Sequence, residues 1–243
     1  MDFSMPENKS NIEESLRRNV AAVKERIAAA AGRAGRRISE ITTVIVTKSV
    51  AAEVVRVLIF LGERHFGESR IQDALPKIAE IGRGPTWHLV GTLQRNKARK
   101  ALHEFAVIHS IDSVALAQAI DRIAAETGRV VPVFLEVNVS GEETKHGFRG
   151  ADVAAALDEM RGLASLDIRG LMTMAPYSDD PADARVHFAA LRNLRDGLRA
   201  RTGLSLPDLS MGMSGDFEAA VAEGATHLRI GTAFFEGIEC RSS

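Results

Sequence analysis

The chain has 243 residues, 45% of them hydrophobic and 26% charged, with a formal net charge of −1. That balance is ordinary for a globular protein and excludes a global field that would draw it to nucleic acid or an anionic membrane. A single cysteine, Cys240, excludes an internal disulfide framework and a thiolate metal cage, and points to a reducing cytoplasm.

Residues Met1 to Asn11 are polar and lack the apolar stretch of a secretion signal, and no run approaches the ~20 residues of a membrane span. Residues 1–10 are expected to fray. Ser10 to Glu13 has capping-box spacing, and Ile12, Leu16, Val20, Val23 and Ile27 follow at helical intervals, ending near Gly32 to Gly35. From there strands and helices alternate. Thr42 to Lys48 is a β-branched run closed by a lysine. Val54, Val57, Leu58 and Leu61 share a helix face that stops at Gly62. Arg64 to Phe66 is a second strand, followed by a helix through Ile71, Leu75 and Ile78.

Thr86 to Val90 reads as strand three, Gln94 to Leu102 as a basic helix, and Phe105 to Ile111 as strand four. Val114 to Ala125 is helical, Val130 to Val139 a long fifth strand, Val153 to Leu163 a helix and Ile168 to Met174 strand six. Pro181 to Thr202 is the longest later helix. Pro207 to Met211, a helix over Asp216 to Glu223, and His227 to Ile230 complete the series. Eight such units in one chain predict a single (β/α)8 TIM barrel over residues 1–243, with an additional N-terminal helix. The alternative, a doubly wound open sheet, lacks the glycine-rich fingerprint that would open an early helix.

Three features suggest chemistry. Lys48 ends the first strand, where α/β proteins hold ligands, and a desolvated amine there can form a Schiff base with an aldehyde. The alternative is a lysine that reaches to solvent. Met211-Gly212-Met213-Ser214-Gly215-Asp216 leads from strand seven into a helix, so its backbone N–H groups and the Ser214 hydroxyl suit an anion; Ser214 could equally cap the helix. Arg229-Ile230-Gly231-Thr232 ends strand eight. There glycine permits close backbone approach, Thr232 adds a donor, and Arg229 is expected on the same side as Gly231. An aldehyde site and an anion cradle at one barrel end fit pyridoxal 5′-phosphate (PLP).

Several segments carry a resemblance. They are Val46-Thr47-Lys48, Phe66-Gly67-Glu68-Ser69-Arg70-Ile71-Gln72-Asp73, Trp87 to Lys97, Gly170 to Met174, Leu209 to Ser214 and Leu228 to Thr232. In order and content they resemble the motifs of the pyridoxal-phosphate homeostasis proteins, the YggS/PROSC group. The resemblance implies a barrel of the alanine-racemase N-terminal type with Lys48 as the Schiff-base lysine. It implies that Ser214, Gly231 and Thr232 hold the phosphate, with Met213 and Ser69 beside the cofactor. Arg229 would face the pyridine nitrogen or reach the phosphate. Ser69 stands where the family usually has asparagine, and it is shorter with fewer hydrogen-bonding positions. Asp73, Thr92 and Arg95 replace the common glutamate, proline and serine.

A permanently cationic Arg229 opposes the protonated ring nitrogen that full electron-sink catalysis uses. Racemisation also needs an acid/base group on each face of the α-carbon. Tyr177, the only tyrosine, follows strand six, and no spacing places it opposite Lys48. The expected role is therefore PLP homeostasis and carriage by a cytoplasmic monomer, without established turnover. Apo PLP-dependent enzymes are the expected recipients, and no nucleic acid or membrane partner is expected. The alternative is a fold-type III PLP-dependent racemase or lyase.

The run Gln94 to Lys100 reads as a solvated helix face, since it has no interleaved aromatics. Seven histidines lack metal-ligand spacing. His88 reads as a hydrogen-bonded barrel residue, or as one supporting the cofactor from behind. Lys145-His146-Gly147 reads as a surface turn.

Overall fold

The computed structural model describes residues 7–142, 146–178 and 180–238. Its nine strands are β1 (Thr42–Val46), β2 (His65–Glu68), β3 (Thr86–Leu89), β4 (Val107–Ile111), β5 (Val131–Asn138), β6 (Phe148–Arg149), β7 (Leu166–Met172), β8 (Asp208–Ser210) and β9 (His227–Ile230). All pairings are parallel, in the order β4-β3-β2-β1-β9-β8-β7-β5, and a β4–β5 pairing closes the ring. The expected eight-stranded barrel is therefore present. The two-residue β6 was not expected; it pairs with the end of β5 outside the ring.

Among the described residues eight α-helices surround the barrel: α1 (Glu7–Arg33), α2 (Ala52–Phe60), α3 (Ile71–Ile81), α4 (Ala98–Glu104), α5 (Val114–Ala125), α6 (Val153–Met160), α7 (Pro181–Thr202) and α8 (Phe217–Ala222). The extra N-terminal helix has a structural reason. Among the described residues after β9 the chain makes a 3₁₀ turn at Thr232–Phe234 and no α-helix, and α1 packs against α8 and α2, closing the helical layer there. Leu16, Val20, Val23 and Ile27 bury its inner stripe. At about 2 kcal/mol per buried aliphatic side chain, that stripe holds a helix whose other face is charged. The Asn19 amide also donates to the carbonyls of Phe234 (3.1 Å) and Glu236 (2.9 Å), steadying the chain behind β9.

Helix α1 starts at Glu7, so the Ser10–Glu13 pair lies inside it and does not mark its start. The expected frayed start thus meets helix over residues 7–10, and residues 1–6 lie outside the described residues, as do Lys145 and Cys240. Among the described residues no helix is long and apolar enough to cross a membrane.

The barrel interior is partly polar. A Cβ placed on Gly67 would meet Val44 at 3.0 Å and Val46 and Val90 at 3.4 Å, so glycine lets three valines close that part of the interior. His88, His109, Ser210 and Arg229 are buried inside as well. Large aromatics such as Phe66, Phe105, Phe188 and Phe217 are fully buried.

Candidate functional site at the carboxyl rim of the barrel

The register sets the site. Strands β1 and β9 are neighbours with Ile45 opposite Ile230, so Lys48 and Gly231 leave the barrel at the same rim. A Cβ on Gly231 would lie 3.4 Å from the Val46 carbonyl oxygen, in ordinary contact, so the glycine leaves a small space beside the end of β1. Lys48 sits in the turn after β1 with its side chain exposed. The desolvation expected for its amine is thus not supplied by the protein alone.

Lys48 lines a cavity of about 560 Å³ together with Glu68, Ser69, Arg70, Asp73 and Lys77, on the β2 and α3 side of β1. Ser214, Gly231 and Thr232 are not among its lining residues. Lys48 therefore stands between two features, this cavity on one side and the β9 loop on the other.

Behind Lys48 lies a clamp that sequence reasoning missed. The Lys77 ammonium donates to the Thr47 carbonyl and to Glu68 Oε1, each at 2.6 Å, and the Thr47 hydroxyl donates to the same carboxyl oxygen at 2.6 Å. The Lys77 and Glu68 side chains are only 10% and 1% exposed. Burial at this level makes the pairing obligatory, and it fixes the peptide immediately before Lys48.

The cradle differs from its expected form. Helix α8 begins at Phe217, and Ser214 does not cap it. The Ser214 hydroxyl instead accepts from the backbone N–H groups of Gly231 (3.2 Å) and Ala233 (3.3 Å), tying the two loops together. The Met213 N–H donates to the Asp216 carboxyl at 2.6 Å, and the Met213 side chain is 38% exposed at the rim. Burial raises the Asp216 pKa, while the Met213 N–H and the charge of Arg229 oppose that shift. Thr232 is exposed and opens the 3₁₀ turn. Two backbone donors and two hydroxyls thus gather where the loops after β8 and β9 meet.

Arg229 does point inward. It is 4% exposed, and its guanidinium donates to the Ser210 hydroxyl (2.7 Å) and the Thr173 carbonyl (2.9 Å). Among the described residues no carboxylate pairs with it directly, and two partners do not use its five N–H groups. Burial lowers its pKa to about 10, against the pull of the Glu136 and Asp216 carboxyls, so it stays cationic at neutral pH. Burial also raises Glu136, Asp112 adds to that shift, and Arg229 opposes it.

A row of imidazoles lies behind Arg229. His109 Nδ1 is 2.7 Å from the Ser210 hydroxyl, His88 Nδ1 is 2.9 Å from His109 Nε2, and His65 Nδ1 is 3.0 Å from His88 Nε2. His88 is thus a hydrogen-bonded barrel residue with partners on both sides. Among the described residues no cluster of histidine, cysteine and carboxylates is arranged to hold a metal. Arg95, Arg99 and Lys100 of the basic run are exposed, and Arg99 forks onto Glu126 at 2.6 and 3.0 Å, in keeping with a solvated face. Tyr177 is 93% exposed on the loop after β7, and His146 is exposed after β5.

Residues 15–238 match the family model described as alanine racemase, N-terminal domain. The chain is 41% identical over 194 residues to the pyridoxal phosphate homeostasis protein of Synechocystis sp., covering 79% of this chain and 89% of that one. It is similar in structure to PipY of Synechococcus elongatus, solved with PLP bound, with a TM-score of 0.79 and 41% identity. That likeness covers 88% of this chain and 99% of PipY. An alanine racemase of Clostridium difficile shares the fold alone, at a TM-score of 0.72 and 16% identity, over 91% of this chain and 56% of that one.

Proposed function

The chain belongs to the pyridoxal phosphate homeostasis protein family, and on that premise we propose that it holds PLP as a Schiff base on Lys48. Its role is PLP homeostasis and carriage, without established turnover. The observation that carries this reading is the shared rim: Lys48 and the donors around Gly231 follow directly on the ends of adjacent parallel strands, β1 and β9.

The residues present fit the cofactor. Among the described residues the N–H groups of Gly231 and Ala233 have only a hydroxyl acceptor in Ser214, which a phosphate oxygen could join or replace. Arg229 has donors to spare and, among the described residues, no carboxylate neutralising it directly, as a site for an anionic or electron-rich ligand needs. The space at Gly231 lets a ligand approach the backbone. Once bound, PLP supplies an aldehyde carbon with which the Lys48 amine can condense. Ser214, Gly231 and Thr232 anchor the phosphate, Met213 covers the rim, and Ser69 reaches the ligand from the β2 side. Arg229 faces the ring nitrogen or the phosphate.

Two features favour carriage over catalysis. A cationic Arg229 disfavours a protonated ring nitrogen, and Tyr177 is turned to solvent. The second reading, a PLP-dependent racemase or lyase, draws on the fold likeness alone. A cytoplasmic monomer that hands PLP to apo-enzymes completes the proposal.

Titrating the purified protein with PLP and recording the visible spectrum tests this. The expected result is a one-to-one absorbance change that Lys48→Ala abolishes. An unchanged spectrum at saturating PLP overturns the reading. Incubation with L-amino acids is expected to leave optical purity unchanged, and formation of the D-isomer establishes the second reading instead.

A further inference from the structure

The barrel core contains a continuous hydrogen-bonded row of which the binding reading uses only the last member, Arg229. It starts at His65, half-buried where β2 begins at the barrel floor. It passes through His88 and His109, which are 1% and 0% exposed, to Ser210 and Arg229. Successive links measure 3.0, 2.9, 2.7 and 2.7 Å.

One charge gives this row a direction. A guanidinium can only donate, so the Ser210 oxygen accepts from Arg229. Among the described residues His109 is the other partner of that hydroxyl, so the single hydroxyl hydrogen goes to His109 Nδ1. His109 must then carry its hydrogen on Nε2 and donate to His88 Nδ1. By the same argument His88 donates from Nε2 to His65 Nδ1. All three rings are neutral, and all three take the Nε2–H form. Burial favours this, pulling the proton affinities of His88 and His109 well below the ordinary imidazole range and that of His65 below it.

We propose that His109, His88 and His65 form a polarised relay that orients Ser210 and Arg229 and ties them to the protonation state of His65 at the barrel floor. These are positioning residues. The relay stands without any ligand; its consequence for PLP rests on the binding reading above.

The proton step balances. A hydronium ion supplies one proton to the buried Ser210 oxygen, whose former hydrogen moves to His109 Nδ1. His109 Nε2–H passes to His88 Nδ1, and His88 Nε2–H passes to His65 Nδ1. Four bonds to hydrogen break and four form, and the positive charge rests on His65. The three hydrogen bonds from Ser210 to His65 have then reversed, while that from Arg229 to Ser210 has not, and no heavy atom is required to move. Ser210 now accepts from both His109 and Arg229, and its own hydrogen is released toward another acceptor.

His65 is the ring best suited to hold that charge. It is the most exposed of the three, and Glu63 beside it favours the cation. Among the described residues, His227 on β9 acts on His88 and His109, with Asp208 on β8 and Arg169 on β7 acting on His227 in turn, and the Glu136 and Asp216 carboxyls act on Arg229 at the other end of the row. His227 and Arg229 oppose a charge on His109, which pushes it toward the floor.

Nitrogen-15 spectra of histidine-labelled, cofactor-free protein test the relay. At neutral pH His88 and His109 are expected as neutral Nε2–H rings. On acidification below about pH 6.5, the ordinary imidazole value, both are expected to change to Nδ1–H as His65 becomes doubly protonated. His65→Gln keeps an acceptor for His88 but cannot take a proton, so the neutral-pH pattern persists and the reversal is lost. His65→Leu removes the acceptor at the floor but leaves the Arg229 end that sets the direction, so the Nε2–H pattern is expected at neutral pH and the reversal is again lost. Nδ1–H rings in the wild type at neutral pH, or a reversal that survives His65→Gln, overturns the proposal. In PLP-loaded protein the visible spectrum is expected to show a step at the same pH, absent from His65→Gln; a step retained in that variant counts against the relay. Failure of PLP to bind overturns the binding reading and leaves the cofactor-free result to decide the relay.

Discussion

Replacing Lys77 by methionine probes the clamp that holds the Lys48 peptide. Methionine and lysine have similar helix propensities, so α3 itself is not perturbed. The change leaves the Glu68 carboxyl, 1% exposed, with the Thr47 hydroxyl as its remaining partner. Removing one member of a buried ion pair costs about 3–5 kcal/mol, because the other charge stays desolvated and uncompensated. Glu68 Oε2 has no hydrogen-bond partner among the described residues even with Lys77 present. The native pair is therefore imperfectly satisfied, which places the loss near the lower end, about 3 kcal/mol. For a chain of this length each kcal/mol moves Tm by roughly 2–4 °C, so a fall of about 6–12 °C is expected. Urea unfolding followed by circular dichroism measures the free energy directly. The double variant Lys77→Met with Glu68→Gln removes the stranded charge and is expected to lose less than the single variant. PLP affinity should fall in Lys77→Met as well, since the Thr47 carbonyl loses its anchor. A loss below about 1 kcal/mol, or a double variant at least as unstable as the single one, refutes the reasoning.

Three further outcomes follow from the site. Ser214→Ala frees the Gly231 and Ala233 N–H groups but removes a hydroxyl from the cradle, so PLP affinity should fall about tenfold, or 1.4 kcal/mol, while pyridoxal without its phosphate binds as before. Equal losses for both ligands place the phosphate elsewhere. Gly67→Ala puts a methyl group 3.0 Å from Val44 and should cost about 1–3 kcal/mol in unfolding experiments, as overpacking does; a neutral result shows that the valines yield freely. Stability should also depend on pH. Burial holds His88 and His109 well below the ordinary imidazole range and His227 at about 4. The unfolded chain, with values near 6.5, therefore binds these protons first. Stability is full above about pH 6.5 and falls as the pH drops, by about 1.4 kcal/mol per unit for each ring until its folded-state value is passed. Glu136 and Asp216, raised by burial, act in the opposite sense. Denaturant unfolding at pH 7, 6 and 5 checks the difference, and stability that holds or rises toward pH 5 contradicts it.

What the sequence disclosed depended on how local each signal was. The β-branched run of β1 and the apolar stripe of α1 are short-range patterns, and both elements lie where those patterns put them. The order of strands and helices identified the barrel, and with it the common rim of Lys48 and Gly231. For Ser214 the sequence left a helix cap and an anion ligand equally open, because a serine just before a helix has the local look of a cap, and its hydroxyl serves amides 17 and 19 residues away. The clamp joins residues 9, 21 and 30 positions apart, and neither a charged residue on a helix nor one at a strand end announces such a partner. The imidazole row was hidden for the same reason. His65, His88 and His109 lie on three different strands, and only the parallel register of β2, β3 and β4 aligns them. The two residues of β6 are too few to carry a period.

The covalent attachment point is the most direct test of the whole account. Lys48 and Lys77 both line the same cavity, but the Lys77 ammonium is committed to Glu68 and the Thr47 carbonyl, and the Lys48 side chain is exposed. Reducing the PLP-loaded protein with borohydride, digesting it and mapping the added mass distinguishes them. The account predicts the cofactor's mass on Lys48 and its absence in Lys48→Ala. Attachment at Lys77 or any other lysine, or no attachment at all, contradicts it.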